Sequence, residues 1–126
     1  MLLASKAIIV KDNKYLLQLR DNKKNIFSPN CWTFFGGRIK KNESAEECIK
    51  RELYEELSIK IKIIMKIYEC ENVITNSYIN YFYAKSYDEI SIKNLTEGQN
   101  LGWFEKNQIK NLKRAQDLEI FYDFLN

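Results

Sequence analysis

The sequence contains no histidine among its 126 residues. Without imidazole, the chain cannot form a Ser-His-Asp triad, a Cys-His pair, a histidine-ligated zinc site or a histidine proton shuttle. Any catalysis must therefore use carboxylates, lysine, tyrosine, cysteine or a metal ion that is bound by oxygen ligands.

Glycine and proline are also scarce, with four glycines and one proline, whereas hydrophobic residues make up 45% of the chain and aromatic residues 13%. This composition excludes an intrinsically disordered or linker-rich chain. Because the length is typical of one domain, we expect a single domain over residues 1–126.

Cysteine is limited to Cys31, Cys48 and Cys70, an odd number without C-x-x-C spacing. We expect these residues to be reduced structural thiols, as in a cytoplasmic protein. The apolar start of the chain is interrupted by Lys6 and Lys11, so it is too short for a signal peptide or a transmembrane span. We therefore expect a cytoplasmic protein that has no contact with a membrane.

The chain has little excess of charge of either sign. It contains 20 Lys and Arg residues and 17 Asp and Glu residues, so the net charge is only +3. The excess is spread along the chain and is too weak to predict a nucleic-acid groove. It is compatible with a small anionic substrate. We therefore predict a small-molecule partner and no nucleic acid.

Hydrophobic periodicity and turn residues predict the element order β-β-β-α-β-β-β-α, with two helical pieces at the end of the chain. An Asp12-Asn13 turn joins the first two strands, and residues 21–30 form a surface loop. The predicted strands are Lys6–Val10, Tyr15–Arg20, Cys31–Phe35, Ile59–Tyr68, Asn76–Ala84 and Leu101–Phe104. The predicted helices are Ser44–Leu57, Glu105–Leu112 and Ala115–Leu125. This order predicts an α/β fold in which helices pack on a mixed sheet.

The first predicted helix begins with an apolar inward face and ends with acidic residues on the same face. Ser44 and Glu47 form a capping-box pattern at its start. A step of ~100° per residue places Cys48, Ile49 and Leu53 on one stripe. The stripe continues into three carboxylates, Glu52, Glu55 and Glu56.

Like charges at this spacing repel one another, and partial burial makes each of them more costly. A hard divalent cation such as Mg²⁺ would relieve both effects, whereas the lack of histidine and paired cysteine argues against zinc. The alternative is an ordinary solvated acidic surface. Nearby, Gly36-Gly37 would let the backbone approach a ligand closely. Arg51 could pair with Glu43, although an exposed pair of this kind contributes little stability.

The spacing of these residues resembles the Nudix box, read here as Gly37-x5-Glu43-x7-Arg51-Glu52-Leu53-x-Glu55-Glu56-x-Ser58-Ile59. One position departs from the family pattern, because Ser58 stands where the family has glycine. We expect the serine to adopt a less strained helix cap there. The resemblance implies the Nudix α/β/α sandwich with a central mixed β-sheet. It also implies hydrolysis of a nucleoside diphosphate linked to another group, with Mg²⁺ or Mn²⁺ as the cofactor.

Residue roles follow from the resemblance by position. It implies that Glu43 and Arg51 form an orienting pair. The implied metal ligands are the Gly37 carbonyl, Glu52, Glu55 and Glu56. The segment Thr96-Glu97-Gly98-Gln99 is similar to one in the MutT-type nucleoside triphosphate pyrophosphatases. It implies that Glu97 is a further metal ligand or the general base, with Glu55 as the competing base.

The candidate substrate contacts are arginine, glutamine and aromatic residues. Arg38 follows the two glycines and Arg20 ends the second strand, and a guanidinium group suits phosphate. Gln116 stands roughly where MutT-type enzymes place an amide that reads the base. Aromatic residues could stack on a base or, alternatively, belong to the core; they are Phe27, Phe35, Tyr81 and Tyr83.

The leading functional expectation is a metal-dependent pyrophosphohydrolase of nucleoside triphosphates, including oxidised ones such as 8-oxo-dGTP, that releases the nucleoside monophosphate. A nucleotide-sugar hydrolase is one alternative. A Nudix-like sensor that binds a nucleotide without cleaving it is the other. The oligomeric state stays open, with a homodimer as one alternative because dimers are common among Nudix proteins. Which phosphorus atom is attacked stays open.

Overall fold

The computed structural model describes all residues from 1 to 126. The seven strands are β1 Leu2–Lys11, β2 Lys14–Leu19, β3 Trp32–Thr33, β4 Phe35–Arg38, β5 Ile61–Asn72, β6 Ser77–Ser86 and β7 Asn100–Phe104. The three α-helices are α1 Ala45–Leu57, α2 Lys106–Ile109 and α3 Gln116–Phe121. Short 3-10 turns occupy Ile92–Asn94 and Tyr122–Phe124. None of the helices has the length and apolar character that crossing a membrane requires.

The strands form one mixed sheet, as predicted. Its main path runs β3-β2-β1-β6-β5, with β4 paired to β1 and β7 paired to β2. The β1–β6 pairing is parallel, and all other strand pairings are antiparallel. Strand β1 is therefore central, and residues at its start lie next to both β4 and β6.

Two hydrophobic cores lie on opposite faces of this sheet. Alternation along β1 sends Ala7 to the core that contains Leu53 of α1, and Ile8 to the core that contains Leu118 of α3. Helices thus cover both faces, and the α/β/α sandwich with a central mixed sheet is confirmed. The arrangement places the inward face of α1 against β1 and β4.

Several local predictions are confirmed. Asp12 and Asn13 both have positive φ, at 52° and 63°, as a tight two-residue hairpin turn requires. In the capping box of α1, the Ser44 hydroxyl accepts from the Glu47 N–H at 3.0 Å, and the Glu47 carboxylate accepts from the Ser44 N–H at 2.9 Å. All three cysteines are free thiols.

The prediction of one strand, Cys31–Phe35, that stops at the two glycines is wrong, because β3 covers only Trp32–Thr33. A separate strand, β4, runs from Phe35 through Gly36 and Gly37 to Arg38 and pairs with β1. Glycine disfavours strands, but here a close approach demands it. A Cβ on Gly36 would lie 2.0 Å from the Ser5 carbonyl oxygen, so no other residue fits.

The other boundaries differ at the chain ends and along β5, which runs to Asn72 and not to Tyr68 because its last residues pair with β6. The predicted helices Glu105–Leu112 and Ala115–Leu125 shorten to α2 and α3, and the second one tightens into the 3-10 turn Tyr122–Phe124. Strand β1 begins at Leu2, earlier than predicted, because its first residues pair with β6 from Ser77 onward. Pairing with a neighbour therefore extends a strand beyond its own hydrophobic alternation.

Ser58 does not adopt the less strained cap that we expected. It ends α1 in the left-handed conformation, at φ 57° and ψ 33°, and its N–H donates to the Tyr54 carbonyl at 2.9 Å. The serine therefore takes the conformation that glycine adopts at no steric cost.

Replacing Ser58 by glycine should raise the free energy of unfolding by about 1 kcal/mol, because the Cβ clash of the left-handed conformation is removed. Urea denaturation would measure the change. Ser58→Ala is the matched control, since it keeps the Cβ and should give no gain. If glycine proves no more stable than alanine, Ser58 is not strained.

Candidate active site

The three glutamates in the C-terminal half of α1, Glu52, Glu55 and Glu56, differ in depth. Glu56 is buried, with 4% of its surface exposed, and the Glu52 side chain is 16% exposed. The Glu55 side chain, by contrast, is 51% exposed. The helical wheel thus places all three on one side, but only two of them reach the interior.

Glu56 has a buried oxygen without a partner. Its Oε2 atom makes no hydrogen bond within the protein. Burial raises the pKa of Glu56 to about 8, and the nearby Lys6 ammonium opposes that rise. The negative charges of Glu52 and Glu97 add to it. A buried polar atom without a partner is costly, so this site favours a cation or a hydrogen-bond donor.

Glu52 lies against the backbone of Gly37. A Cβ on Gly37 would lie 2.4 to 2.7 Å from the carboxyl atoms of Glu52, so any other residue here would displace this carboxylate from its position. Burial raises the pKa of Glu52. The Cys48 thiol donates weakly to the Gly37 carbonyl, at 3.6 Å. Two of the predicted metal ligands, Gly37 and Glu52, are therefore neighbours in space.

Arg51 links the start of α1 to the acidic face. Its guanidinium donates to both Glu43 oxygens, at 2.6 and 2.9 Å, and this bond holds the pKa of Glu43 down at about 2. The same group donates to Glu52 at 2.9 Å and to Glu55 at 3.1 Å. It also donates to the Arg38 carbonyl at 3.0 Å. The structure thus contains the predicted Glu43–Arg51 pair, and Arg51 contacts two of the predicted ligands as well.

The segment that carries Glu97 is tied down at both ends. At one end, Thr96 donates through its N–H and its hydroxyl to the last carbonyls of α1, at 3.1 and 3.2 Å. At the other end, Gln99 donates through its N–H and its side chain to carbonyls at the end of β2, at 2.8 and 2.9 Å. Glu97 is held between them, close enough for its charge to raise the pKa values of Glu52 and Glu56.

Two clefts lie next to the predicted metal ligands: Glu97 lines one of them and Gly37 lines the other. The Glu97 cleft, of about 310 Å³, is lined by residues that include Gln18, Arg20, Lys23 and Glu97. The Gln116 groove, of about 290 Å³, is lined by residues that include Arg20, Arg38, Gly37 and Gln116. The three predicted substrate contacts, Arg20, Arg38 and Gln116, thus line one groove, and Arg20 lines both clefts.

The four aromatic residues that were candidates for stacking on a base differ in whether a ligand can reach them. Phe27 is exposed and lines the Gln116 groove, so it is available to a ligand. Phe35 and Tyr81 are fully buried in the two cores, where packing explains them. Tyr83 packs against the second core and lines neither cleft. Phe27 is therefore the one aromatic candidate that retains access to substrate.

Sequence reasoning missed an ion pair, Lys6–Asp117, that lines the Gln116 groove. The Lys6 ammonium lies 3.9 Å from the Asp117 carboxylate, 3.4 Å from the Thr33 hydroxyl and 3.3 Å from the Phe34 carbonyl. Asp117 accepts from the Thr33 hydroxyl at 2.7 Å and from the Phe34 N–H at 3.0 Å. The available signal was a lone lysine inside the apolar run that forms β1.

The donor set fits a hard divalent cation. As arranged here, no three acidic or cysteine side chains converge closely enough to ligate one ion, and Arg51 holds both Glu52 and Glu55. Glu56 nevertheless offers a buried oxygen without a partner, in an all-oxygen set of the kind that Mg²⁺ and Mn²⁺ take. The ligand set Gly37, Glu52, Glu55, Glu56 and Glu97 stays a prediction.

Comparison with known proteins gives a consistent result. The profile of the NUDIX domain family matches residues 1–124. An 8-oxo-dGTP diphosphatase of Buchnera aphidicola subsp. Schizaphis graminum is 36% identical over 78 residues, which are 62% of this chain and 52% of that protein. An RNA pyrophosphohydrolase of Shewanella pealeana is 33% identical over 92 residues, 73% of this chain and 50% of that protein. The matches thus span about half the length of these relatives.

Solved structures show the same fold. A MutT protein from Methanosarcina mazei Go1 superposes with a TM-score of 0.79 at 17% identity, over 98% of this chain and 91% of that chain. A MutT NUDIX hydrolase from Burkholderia pseudomallei superposes with a TM-score of 0.75 at 20% identity, over 99% and 98% of the two chains. At these identities the similarity concerns the fold alone.

Proposed function

This chain belongs to the Nudix family, and from that membership we propose that it is a divalent-metal-dependent pyrophosphohydrolase. The proposed substrate is a nucleoside triphosphate, oxidised forms included, and the proposed product is the nucleoside monophosphate. One observation carries the proposal: Glu56 keeps a buried carboxylate oxygen without a partner, beside Glu52 and next to clefts lined by arginines.

The charges around the site suit a polyphosphate. Arg20 lines both clefts and Arg38 lines the Gln116 groove, so phosphate oxygens bound there would meet guanidinium donors. Phe27 at the same groove offers a face for a nucleobase. The groove thus holds contacts for both parts of a nucleotide.

Nudix hydrolases generally use divalent metal ions, and here the Gly37 carbonyl, Glu52, Glu55 and Glu56 would hold them, while Glu97, the other predicted ligand, is assigned to proton transfer. When bound, such ions neutralise the phosphate charge and make a water molecule more acidic. The chain's own residues perform the remaining tasks. Arg51 orients Glu52 and Glu55 while Glu43 fixes its guanidinium, and Glu97 accepts a proton from the attacking water.

A second candidate substrate is the 5′-triphosphate end of RNA, since several relatives at 32–33% identity are named RNA pyrophosphohydrolase. The open clefts support either substrate, because a polynucleotide and a mononucleotide share the triphosphate chemistry. We place the free nucleotide first, since the net charge of +3 provides few contacts for a longer phosphate backbone.

With three free cysteines, we also propose that the enzyme works in the reducing cytoplasm.

A substrate panel with product analysis tests the proposed function. Purified protein with Mg²⁺ or Mn²⁺ should release monophosphate and pyrophosphate from at least one nucleoside triphosphate, and chelation of the metal should stop release. The panel should include 8-oxo-dGTP, nucleotide sugars and 5′-triphosphate RNA. Turnover of nucleotide sugars alone would shift the substrate class. Metal-dependent binding without any turnover would instead identify a nucleotide sensor.

A further inference from the structure

Besides Glu56 Oε2, the protein has one other buried side-chain oxygen without a partner, and this atom belongs to a residue of the Glu97 cleft. Gln18 lines this cleft and is only 6% exposed. Its Oε1 atom is buried and has no hydrogen-bond partner in the protein. A buried amide oxygen normally finds a donor, so this atom points to a bound molecule that supplies one.

The backbone fixes where this amide lies. Along β2, Leu16 packs in the core beneath α1, and Gln18, two residues further on, faces the same side of the sheet. Gln18 is therefore on the side of Glu52 and Glu56. Its Oε1 and Cδ lie 3.6 and 3.8 Å from the position that a Cβ on Gly98 would occupy. The amide is thus adjacent to the residue that follows Glu97.

The chemistry of the cleft limits what the amide oxygen can bind. Arg20 and Lys23 line the same cleft and suit phosphate oxygens. An ionised phosphate oxygen carries no hydrogen to donate, so it cannot satisfy Oε1. A water molecule can, because it donates two hydrogen bonds and fits between two acceptors such as an amide oxygen and a carboxylate.

We propose that Gln18 positions the water molecule that attacks the substrate, an inference that rests on the proposed pyrophosphohydrolase function. The Gln18 Oε1 atom accepts one hydrogen of this water, and the Glu97 carboxylate faces the other. In the reaction the water oxygen forms a bond to phosphorus. The bridging oxygen leaves with the electron pair of the broken P–O bond, and one proton passes from the water to the carboxylate.

Gln18→Met tests this role, because methionine has a similar size and cannot accept a comparable hydrogen bond. With the nucleotide that the wild type hydrolyses, kcat should fall about tenfold or more while KM stays within about twofold. Since Oε1 makes no bond in the protein, the thermal midpoint without metal or nucleotide should stay equal or rise. A residue that only supports the fold would instead lower the midpoint.

Gln108→Met is the matched control. Its side-chain oxygen accepts from the Glu105 N–H at 2.8 Å at the start of α2, away from both clefts. This variant should lose thermal stability and keep kcat, the reverse of Gln18→Met. An unchanged kcat in Gln18→Met, or a variant that does not fold, would overturn the proposed role of Gln18 alone. Absence of turnover by the wild type would overturn the proposed function and, with it, this inference.

Discussion

Replacing Glu56 by glutamine should lower kcat by at least about a hundredfold for any nucleotide that the protein hydrolyses. Glutamine keeps the shape of the side chain but removes the negative charge that a divalent cation would need. Glu56 is the most buried carboxylate on α1 and retains an oxygen without a partner. Glu52 and Glu55, which Arg51 contacts, lie less deeply than Glu56, so neither replaces its buried negative charge.

The same variant should change how stability depends on pH in the absence of metal. Burial raises the pKa of Glu56 from its ordinary value of 4.5 to about 8, so the folded state keeps this proton over a range in which the unfolded chain has lost it. The wild type should therefore lose stability as the pH rises from about 4.5 to about 8, by at most ~1.4 kcal/mol per pH unit. Glu56→Gln should lack this dependence.

Two measurements check these results: steady-state kinetics with metal, and denaturation with a chelator at several pH values. Glu46→Gln is the matched control, because Glu46 lies exposed on the outer side of the same helix. It should match the wild type in both measurements. A Glu56→Gln enzyme with normal kcat would exclude Glu56 as a metal ligand, whatever its effect on stability.

The sequence predicted the part of the site that depends on one helix. The capping box and the inward stripe follow from spacing along α1, where geometry repeats every 3.6 residues. The Glu43–Arg51 pair joins the helix to the residue before its cap, and it was implied by the family resemblance. The wheel could not predict depth, however. Glu55 is half exposed and Glu56 is buried because depth depends on what packs against each side of the helix. Glu56 lies next to the Gly36 backbone in β4 and Lys6 in β1.

Contacts between distant segments were not predictable from one sequence. Lys6 and Asp117 come from opposite ends of the chain and meet only because β1 is central and α3 covers the face that Lys6 shares with Ile8. Gly36 and Gly37 suggested the end of a strand, since glycine weakens strands in general. In the fold they belong to β4, where one glycine accommodates β1 and the other accommodates Glu52.

The second large effect concerns the general base. Glu97→Gln should lower kcat by about a hundredfold or more, and Glu55→Gln should lower it less. Glu97 lines the cleft that also contains Gln18 and Arg20, and its charge acts on Glu52 and Glu56. Glu55 is half exposed and paired with Arg51 at 3.1 Å, and it lines neither cleft. A base must reach the water that attacks, and position therefore favours Glu97.

The pH dependence of kcat/KM separates a base from a metal ligand. If Glu97 takes the proton, Glu97→Gln should lose the acidic limb of the profile and still bind metal and nucleotide. Loss of a ligand would instead weaken metal binding and could be offset by more metal. Glu89→Gln, which changes an exposed loop glutamate, should leave the profile intact. Should Glu55→Gln remove turnover while Glu97→Gln keeps it, the base would lie on α1. The segment held by Thr96 and Gln99 would then serve only to close the cleft.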